Sequence, residues 1–290
     1  MKLRKYHGLG NDYLVATPEE FGSPSNLEQR IQAICDRHMG AGSDGILLGP
    51  FLPDSPEFKR IAQRSNTNEK PKFALRIYNP DGSEAEKSGN GLRIFTQFLF
   101  DSGLVGNEPF KIATMGGIVT SVVNEPYEDI MVQMGKVTFD SSLIPVKGER
   151  REVLAESIEL GGRDFTYSAA SIGNPHCIVL CDEVSKSLAL EFGPLFECEA
   201  RFTNKTNVQF MKVLSDQSIF IEIWERGAGY TLASGSSASA AACVAHKLGL
   251  CGQSVLVKMP GGNLEVKIDD DWNVVQHGPV KLVYDMDFYE

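Results

Sequence analysis

The chain has no uninterrupted apolar run near ~18 residues, so nothing in it reads as a membrane-spanning helix. Met1-Lys2-Leu3-Arg4-Lys5-Tyr6 carries charge with no apolar segment behind it, and no export signal is expected. Cationic excess is missing too: 28 Lys and Arg stand against 38 Asp and Glu, a net charge of −10. That sign opposes binding to nucleic acid or to an anionic membrane, so neither partner is expected. Cysteine is scarce, six in 290 residues with no C-x-x-C pair, which predicts reduced thiols and a cytoplasmic protein. Cys177 and Cys181 lie in a strand-like stretch that separates them by roughly 13 Å, too far to share an ion, and no metal site is expected. The phosphate-loop, H-E-x-x-H and G-x-S-x-G patterns are absent as well.

What is present suffices for a sizeable core, with 42% apolar and 23% charged residues. A helix is expected over 26–37, opened by a capping box at Ser25-Asn26-Leu27-Glu28. Short strands dominate the rest: 45–51, 73–78, 110–114, 118–123, 130–134, 177–180, 207–213, 219–224, 254–259 and 263–268. The segment 52–72 holds Pro53, Pro56 and Pro71 among polar residues and reads as an extended surface loop. Gly40-Ala41-Gly42-Ser43-Asp44-Gly45 has dinucleotide-loop spacing but follows a helix and precedes a strand, the reverse of the context that chemistry needs.

A repeat organises the chain. Ser88-Gly89-Asn90-Gly91 precedes Ser102-Gly103-Leu104, and Ser234-Gly235-Ser236-Ser237 precedes Leu248-Gly249-Leu250. Serine to glycine spans 15 positions in both, 88 to 103 and 234 to 249. Downstream, Gly116-Gly117 and Gly261-Gly262 each sit between strand-like runs. Each serine leads into an apolar helix, 92–100 and 238–247, and the second, rich in alanine with few polar positions, is expected to be enclosed by other structure. Two equivalent halves follow, each a mainly antiparallel sheet around a central helix, with a ligand expected in the cleft between them and the two serines facing each other there. In isolation either serine is simply an N-cap. Paired, each at a glycine-flanked helix N-terminus, they suit a carboxylate or phosphate. His7 and His176 lie in glycine-containing turns, and Glu225-Arg226 lies at a strand end; His38, His246 and His277 read as structural.

These blocks resemble the diaminopimelate epimerase family: His7-Gly8-Leu9-Gly10-Asn11-Asp12, the stretch from Asn79-Pro80-Asp81-Gly82 to Glu86, Ser88-Gly89-Asn90-Gly91, Gly173-Asn174-Pro175-His176, Thr206-Asn207-Val208 and Trp224-Glu225-Arg226-Gly227-Ala228-Gly229. The resemblance runs in the family's order to about Gly278. It implies an α+β fold of two pseudo-symmetric domains, 1–133 plus 279–290 and 134–278, and an isomerase that needs no pyridoxal or other cofactor. LL- to meso-diaminopimelate epimerisation, in lysine and peptidoglycan precursor synthesis, is the activity it implies, with an amino acid as small-molecule partner and a homodimer as assembly.

In the family two cysteines serve as base and acid on opposite faces of the α-carbon, and here Ser88 and Ser234 occupy those positions. A serine hydroxyl ionises roughly five units above a thiol, a handicap of about 7 kcal/mol. An adjacent base would offset part of it, and His176, Glu225 and Lys87 are the candidates. By resemblance, Asn11, Asn79, Asn174, Asn207, Glu225 and Arg226 bind the substrate, the last five at its non-reacting amino-acid end. The backbone around Gly89-Asn90 and Gly235-Ser236 takes the reacting carboxylate. Gly45 is a further departure, at a position where many relatives carry a longer residue near the reacting end. A diverged racemase, isomerase or dehydratase on another amino or hydroxy acid, and an amino-acid-binding pseudoenzyme, are the alternatives the serines leave open.

Overall fold

The computed structural model describes residues 1–64 and 69–289. The chain divides into two compact units, Met1–Gln133 with Gly278–Glu290, and Met134–His277.

In the first unit β1 (Lys2–Gly8) and β2 (Asn11–Ala16) form a hairpin, followed by α1 (Pro18–Phe21), α2 (Leu27–Cys35), β3 (Ile46–Phe51), α3 (Pro56–Ala62), β4 (Phe73–Tyr78) and β5 (Glu84–Ala85). After α4 (Gly89–Asp101) come β6 (Phe110–Thr114), β7 (Gly117–Glu125) and β8 (Asp129–Lys136). Helix α4 packs against β1, β2, β3 and β7, and every residue from Gly89 to Leu99 is buried. The opposite face of the sheet buries Leu14, Ile46, Leu48 and Tyr78 against Ile31, Ile34 and Cys35 of α2.

The second unit runs β9 (Glu156–Leu160), β10 (Arg163–Ser171), β11 (Pro175–Leu180), α5 (Lys186–Glu197), β12 (Asn207–Ser215), β13 (Ser218–Glu225), β14 (Gly229–Thr231), α6 (Gly235–Lys247), β15 (Ser254–Met259), β16 (Gly262–Ile268) and β17 (Asn273–Gly278). Helix α6 packs against β10 to β13, β15 and β16. Its alanines, Ala238, Ala240, Ala241, Ala242 and Ala245, are fully buried and let strands approach the helix axis. Helix α5 covers the other face, where Phe192 and Phe196 meet Phe165 edge-on at ring-centroid distances of 4.9 and 5.3 Å. The last strand, β18 (Lys281–Asp287), lies antiparallel along β1 in the first unit.

Both units are α+β, and they repeat one pairing scheme. In the first, β1–β2 is antiparallel, β2–β3 parallel, β3–β4 and β4–β5 antiparallel, β4–β6 parallel, and β6–β7 and β7–β8 antiparallel. The second has the same sequence of hands from β10 to β17. The central helices match as well, at 13 residues each. Their C-termini close alike: Gly103 (φ 67°) and Gly249 (φ 71°) take the left-handed conformation. Leu104 N–H then reaches Leu99 O at 3.0 Å, and Leu250 N–H reaches Ala245 O at 2.9 Å. Gly116 N–H donates to Glu86 O and Gly261 N–H to Leu232 O, both at 2.8 Å.

Several local expectations change. The 52–72 segment contains α3: Ser55 caps it by accepting Phe58 N–H at 3.2 Å, Pro56 sits in the first turn where it lacks nothing a helix needs, and Phe58 and Ile61 are buried. Residues 65–68 of that segment lie outside the described residues. Helix α2 is capped by Asn26, whose Oδ1 accepts Gln29 N–H at 3.2 Å, in place of the expected Ser25–Glu28 box. Both central helices begin three residues before the expected starts, because Gly89-Asn90-Gly91 and Gly235-Ser236-Ser237 are their first turns.

Candidate active site

Ser88 is the N-cap of α4, in extended conformation (φ −139°, ψ 121°), and its Oγ accepts Gly91 N–H at 3.0 Å. Gly91 allows that approach, since a Cβ there would lie 3.2 Å from Ser88 Oγ and 3.1 Å from Leu47 Cδ2. Gly89 and Asn90 form the first turn, at the positive end of the helix. The β1–β2 turn, with Gly10 at φ 90°, brings Asn11 to this terminus, where its Oδ1 accepts from Asn90 Nδ2 at 3.1 Å. Asn11 Nδ2 donates to Asp44 at 2.8 Å, and Arg37 joins Asp44 and Asp12 at 2.6 and 2.7 Å. Lys5 closes the network on Asp12 at 2.7 Å. Asn79 holds the β4–β5 turn through Ser83 Oγ at 3.0 Å. Gly116 leaves room for Lys87, whose Cβ would lie 3.2 Å from a Cβ at that position, and burial pushes the Lys87 ammonium down to about 8.

Ser234 caps α6 in nearly the same conformation (φ −143°, ψ 126°), and its Oγ accepts Ser237 N–H at 3.5 Å and lies 3.5 Å from Ser236 Oγ. Asn174, carried by a turn with Gly173 at φ 108°, donates to Ser236 Oγ at 3.5 Å. Gln209 Nε2 donates to Ser237 Oγ at 2.9 Å beneath this turn. Asn207 is buried and spans two loops: its Nδ2 donates to Pro175 O at 2.9 Å and its Oδ1 accepts Arg226 N–H at 3.0 Å. Arg226 is exposed and donates to Asn204 O at 3.0 Å, while Glu225 ends β13 half-buried beside it.

His176, one of the three expected candidate bases, lies inside the second unit. The ring is fully buried, burial holds its pKa at about 3, and its Nε2 lies 2.9 Å from Asn174 Oδ1. It is neutral near pH 7 and orients Asn174. His7 likewise serves its turn, accepting Gly10 N–H at 3.2 Å through Nδ1.

Strand register relates the two sets. Leu14, Ile46, Tyr78 and Glu84 form one rung across β2 to β5, and Cys177, Val208, Trp224 and Tyr230 form the matching rung across β11 to β14. One residue toward the helix N-terminus these rungs give Tyr13, Gly45 and Asn79 in the first unit, and His176, Asn207 and Glu225 in the second. Asn11 then corresponds to Asn174 and Asn90 to Ser236, so the contact between turn and helix occurs in both units.

Two residues that sequence reading missed belong here. Tyr13 donates from its hydroxyl to Ser88 Oγ at 3.3 Å; its one signal is the period of two that puts it on the face of Asn11. Glu197, at the end of α5, receives Trp224 Nε1 at 2.8 Å, Lys205 Nζ at 3.2 Å and Gly227 N–H at 3.2 Å. Burial alone would raise its pKa, but these donors hold it below the usual carboxylate range and fix the segment carrying Glu225 and Arg226. Among the described residues no three of His, Cys, Asp and Glu gather as a metal cluster, and no helix is long and apolar enough to cross a membrane.

Similarity to known proteins covers both units. The profile of the family described as Diaminopimelate epimerase matches residues 3–139 and 168–283. The chain is 55% identical over 274 residues to "Diaminopimelate epimerase 2" of Nostoc sp. strain PCC 7120, covering 94% of this chain and 90% of that protein. It is 36% identical over 287 residues to the diaminopimelate epimerase of Caldanaerobacter subterraneus subsp. tengcongensis, covering 98% of each. Among solved structures, a hydroxyproline epimerase from Agrobacterium vitis shares the fold at TM-score 0.67 and 16% identity, covering 99% of this chain and 91% of that one. A PhzF-family phenazine biosynthesis protein from Bacillus anthracis does so at TM-score 0.64 and 14% identity, covering 99% and 98%. The chain belongs to the diaminopimelate epimerase family, and is an isomerase of that family.

Proposed function

We propose that the protein epimerises one α-carbon of diaminopimelate, LL to meso, without a cofactor, by two-base proton transfer between Ser88, Ser234 and the substrate. The observation that carries this reading is the duplicated cap: two serines within 5° of each other in φ and ψ, each opening a buried 13-residue helix. Racemisation needs this pair of elements. One group removes the α-proton while another supplies a proton to the opposite face, and donors must meet the carboxylate as negative charge develops on it. The first-turn N–H groups of Gly89, Asn90, Gly235 and Ser236 are suited to the second task.

Asn11, Asn79, Asn174, Asn207, Glu225 and Arg226 serve as binding residues, with the last five on the distal amino-acid end. Amide, carboxylate and guanidinium groups complement a zwitterion. His176 acts through Asn174, and Asn207 contributes what remains after its two loop contacts. The names of the relatives support the substrate. The six free cysteines support a cytoplasmic setting, and the exposed apolar run Leu282 to Tyr284 supports a homodimer.

The test is α-proton exchange in D₂O, followed by NMR, with LL- and meso-diaminopimelate. Native protein should exchange and interconvert the two, Ser88→Ala and Ser234→Ala should each abolish interconversion, and the double Ser→Cys variant should raise the rate. Absence of exchange in both the native and the double-cysteine proteins would remove diaminopimelate as substrate.

A further inference from the structure

A Cβ built on Gly45 would lie 2.3 Å from the carbonyl oxygen of Tyr78 and 2.8 Å from Cε1 of Tyr13, with Cδ1 of the same ring at 3.2 Å. Atoms do not approach that closely, so a side chain at position 45 and the Tyr13 ring in its present place exclude one another. Position 45 is therefore open to the phenol, which is buried to 7% exposure and reaches Ser88. Ser88 Oγ then accepts from two donors, Gly91 N–H at 3.0 Å and Tyr13 O–H at 3.3 Å. A hydroxyl oxygen has two lone pairs, so both are engaged and the Ser88 hydrogen is directed away from both donors. An alkoxide at Ser88 would keep both hydrogen bonds and draw them shorter.

The second unit lacks this arrangement. Ser234 Oγ has Ser237 N–H and the Ser236 hydroxyl, both at 3.5 Å. On the matching rung the counterpart of Tyr13 is His176, whose Nε2 is engaged with Asn174. The two serines thus share a conformation and differ in the donors around their oxygens.

We infer that Tyr13 is a positioning residue that makes serine usable at the first acid/base position, donating its phenol hydrogen to Ser88 Oγ and rendering Ser88 the stronger acid of the serine pair. The catalytic consequence rests on the epimerase reading. As base, the Ser88 alkoxide takes the α-hydrogen as a proton: Cα–H breaks, O–H forms, and the electron pair remains on the α-carbon and its carboxylate. Ser234 then protonates the carbanion on the opposite face, and in the reverse direction, once Ser234 has taken the α-proton, the Ser88 hydroxyl gives its own proton to the carbanion: O–H breaks, Cα–H forms, and the Ser88 alkoxide is left. The phenol keeps its own proton in both directions and only strengthens or relaxes its hydrogen bond.

The first experiment needs no turnover. Ser88→Cys is made alone and together with Tyr13→Phe, and alkylation of residue 88 by iodoacetamide is followed against pH, with peptide mass spectrometry separating it from the native cysteines. A donor to an anion favours its ionisation by about tenfold or more, so Tyr13→Phe should raise the pKa of the introduced thiol by about 1. An unchanged or lowered value overturns the inference. The second experiment compares native and Tyr13→Phe proteins in steady-state α-proton exchange. The expected loss is about 10- to 100-fold in kcat with KM little changed, and a loss carried by KM alone overturns the inference. Exchange by neither protein, with the thiol shift observed, overturns the epimerase reading and leaves the pairing of Tyr13 with Ser88 standing.

Discussion

His176 carries no charge near neutrality because its ionised ring would be stripped of water, and the resulting pKa of about 3 has a consequence for stability. In the unfolded chain the imidazole titrates near ~6.5, so between that value and ~3 the unfolded state binds the proton that the folded state refuses. The stability held by neutral His176 is complete above ~6.5 and is lost as pH falls toward ~3, on the order of 4 kcal/mol in all. Urea titrations at pH 7, 5 and 4 should show the gap between native protein and His176→Gln narrowing on acidification; parallel profiles would contradict it. Asn207 makes a second case. Alanine there would leave Pro175 O and Arg226 N–H without their partner in a partly buried place, a loss of about 1 kcal/mol. KM should rise too, because both loops around the proposed substrate end lose their tie, and an unchanged KM would count against that placement.

At the scale of elements, the two caps differ in a measurable way. Serine to alanine at an N-cap costs about 1 kcal/mol, and the shorter contact at Ser88, 3.0 Å against 3.5 Å at Ser234, predicts the larger loss for Ser88→Ala in urea midpoint. Equal losses would mean that cap distance does not set the cost. The same caps explain where sequence reading stopped short. Glycine-rich first turns look like loops, so the sequence signals both central helices only from their first apolar residue. Pro56 hides helix α3 because proline signals a break, although the first turn tolerates it. Helix α5 went unread because Gly193 and Pro194 interrupt it, while burial of Leu188, Ala189, Phe192 and Phe196 outweighs their propensity. Strands β1 and β18 give little sequence signal, the first for its charged residues and the second because it has no buried face to impose alternation.

Across the whole molecule, duplication was legible from a few glycines and serines at fixed spacing, because those positions carry backbone constraints that few residues satisfy. The rung that pairs Tyr13 with His176, Gly45 with Asn207 and Asn79 with Glu225 was not legible, since corresponding positions hold different residue types and only register relates them. Of the proposed site, the residues in glycine-flanked turns could be found in the sequence, and those acting through packing, Tyr13 and Glu197, could not. The strand β18 poses the remaining question at this scale. Leu282, Val283 and Tyr284 follow one another in it with exposures of 39, 49 and 38%, so apolar groups lie open on both faces, between Lys281 and Asp285. Exposed strands of this kind pair with other chains unless charge prevents it. If the proposed homodimer forms through this run, native protein should sediment at twice the chain mass at micromolar concentration. Val283→Lys should then return it to a monomer with its thermal transition retained, because that side chain makes no part of either core. A native monomer, or a dimer indifferent to Val283→Lys, would move the contact elsewhere or remove it.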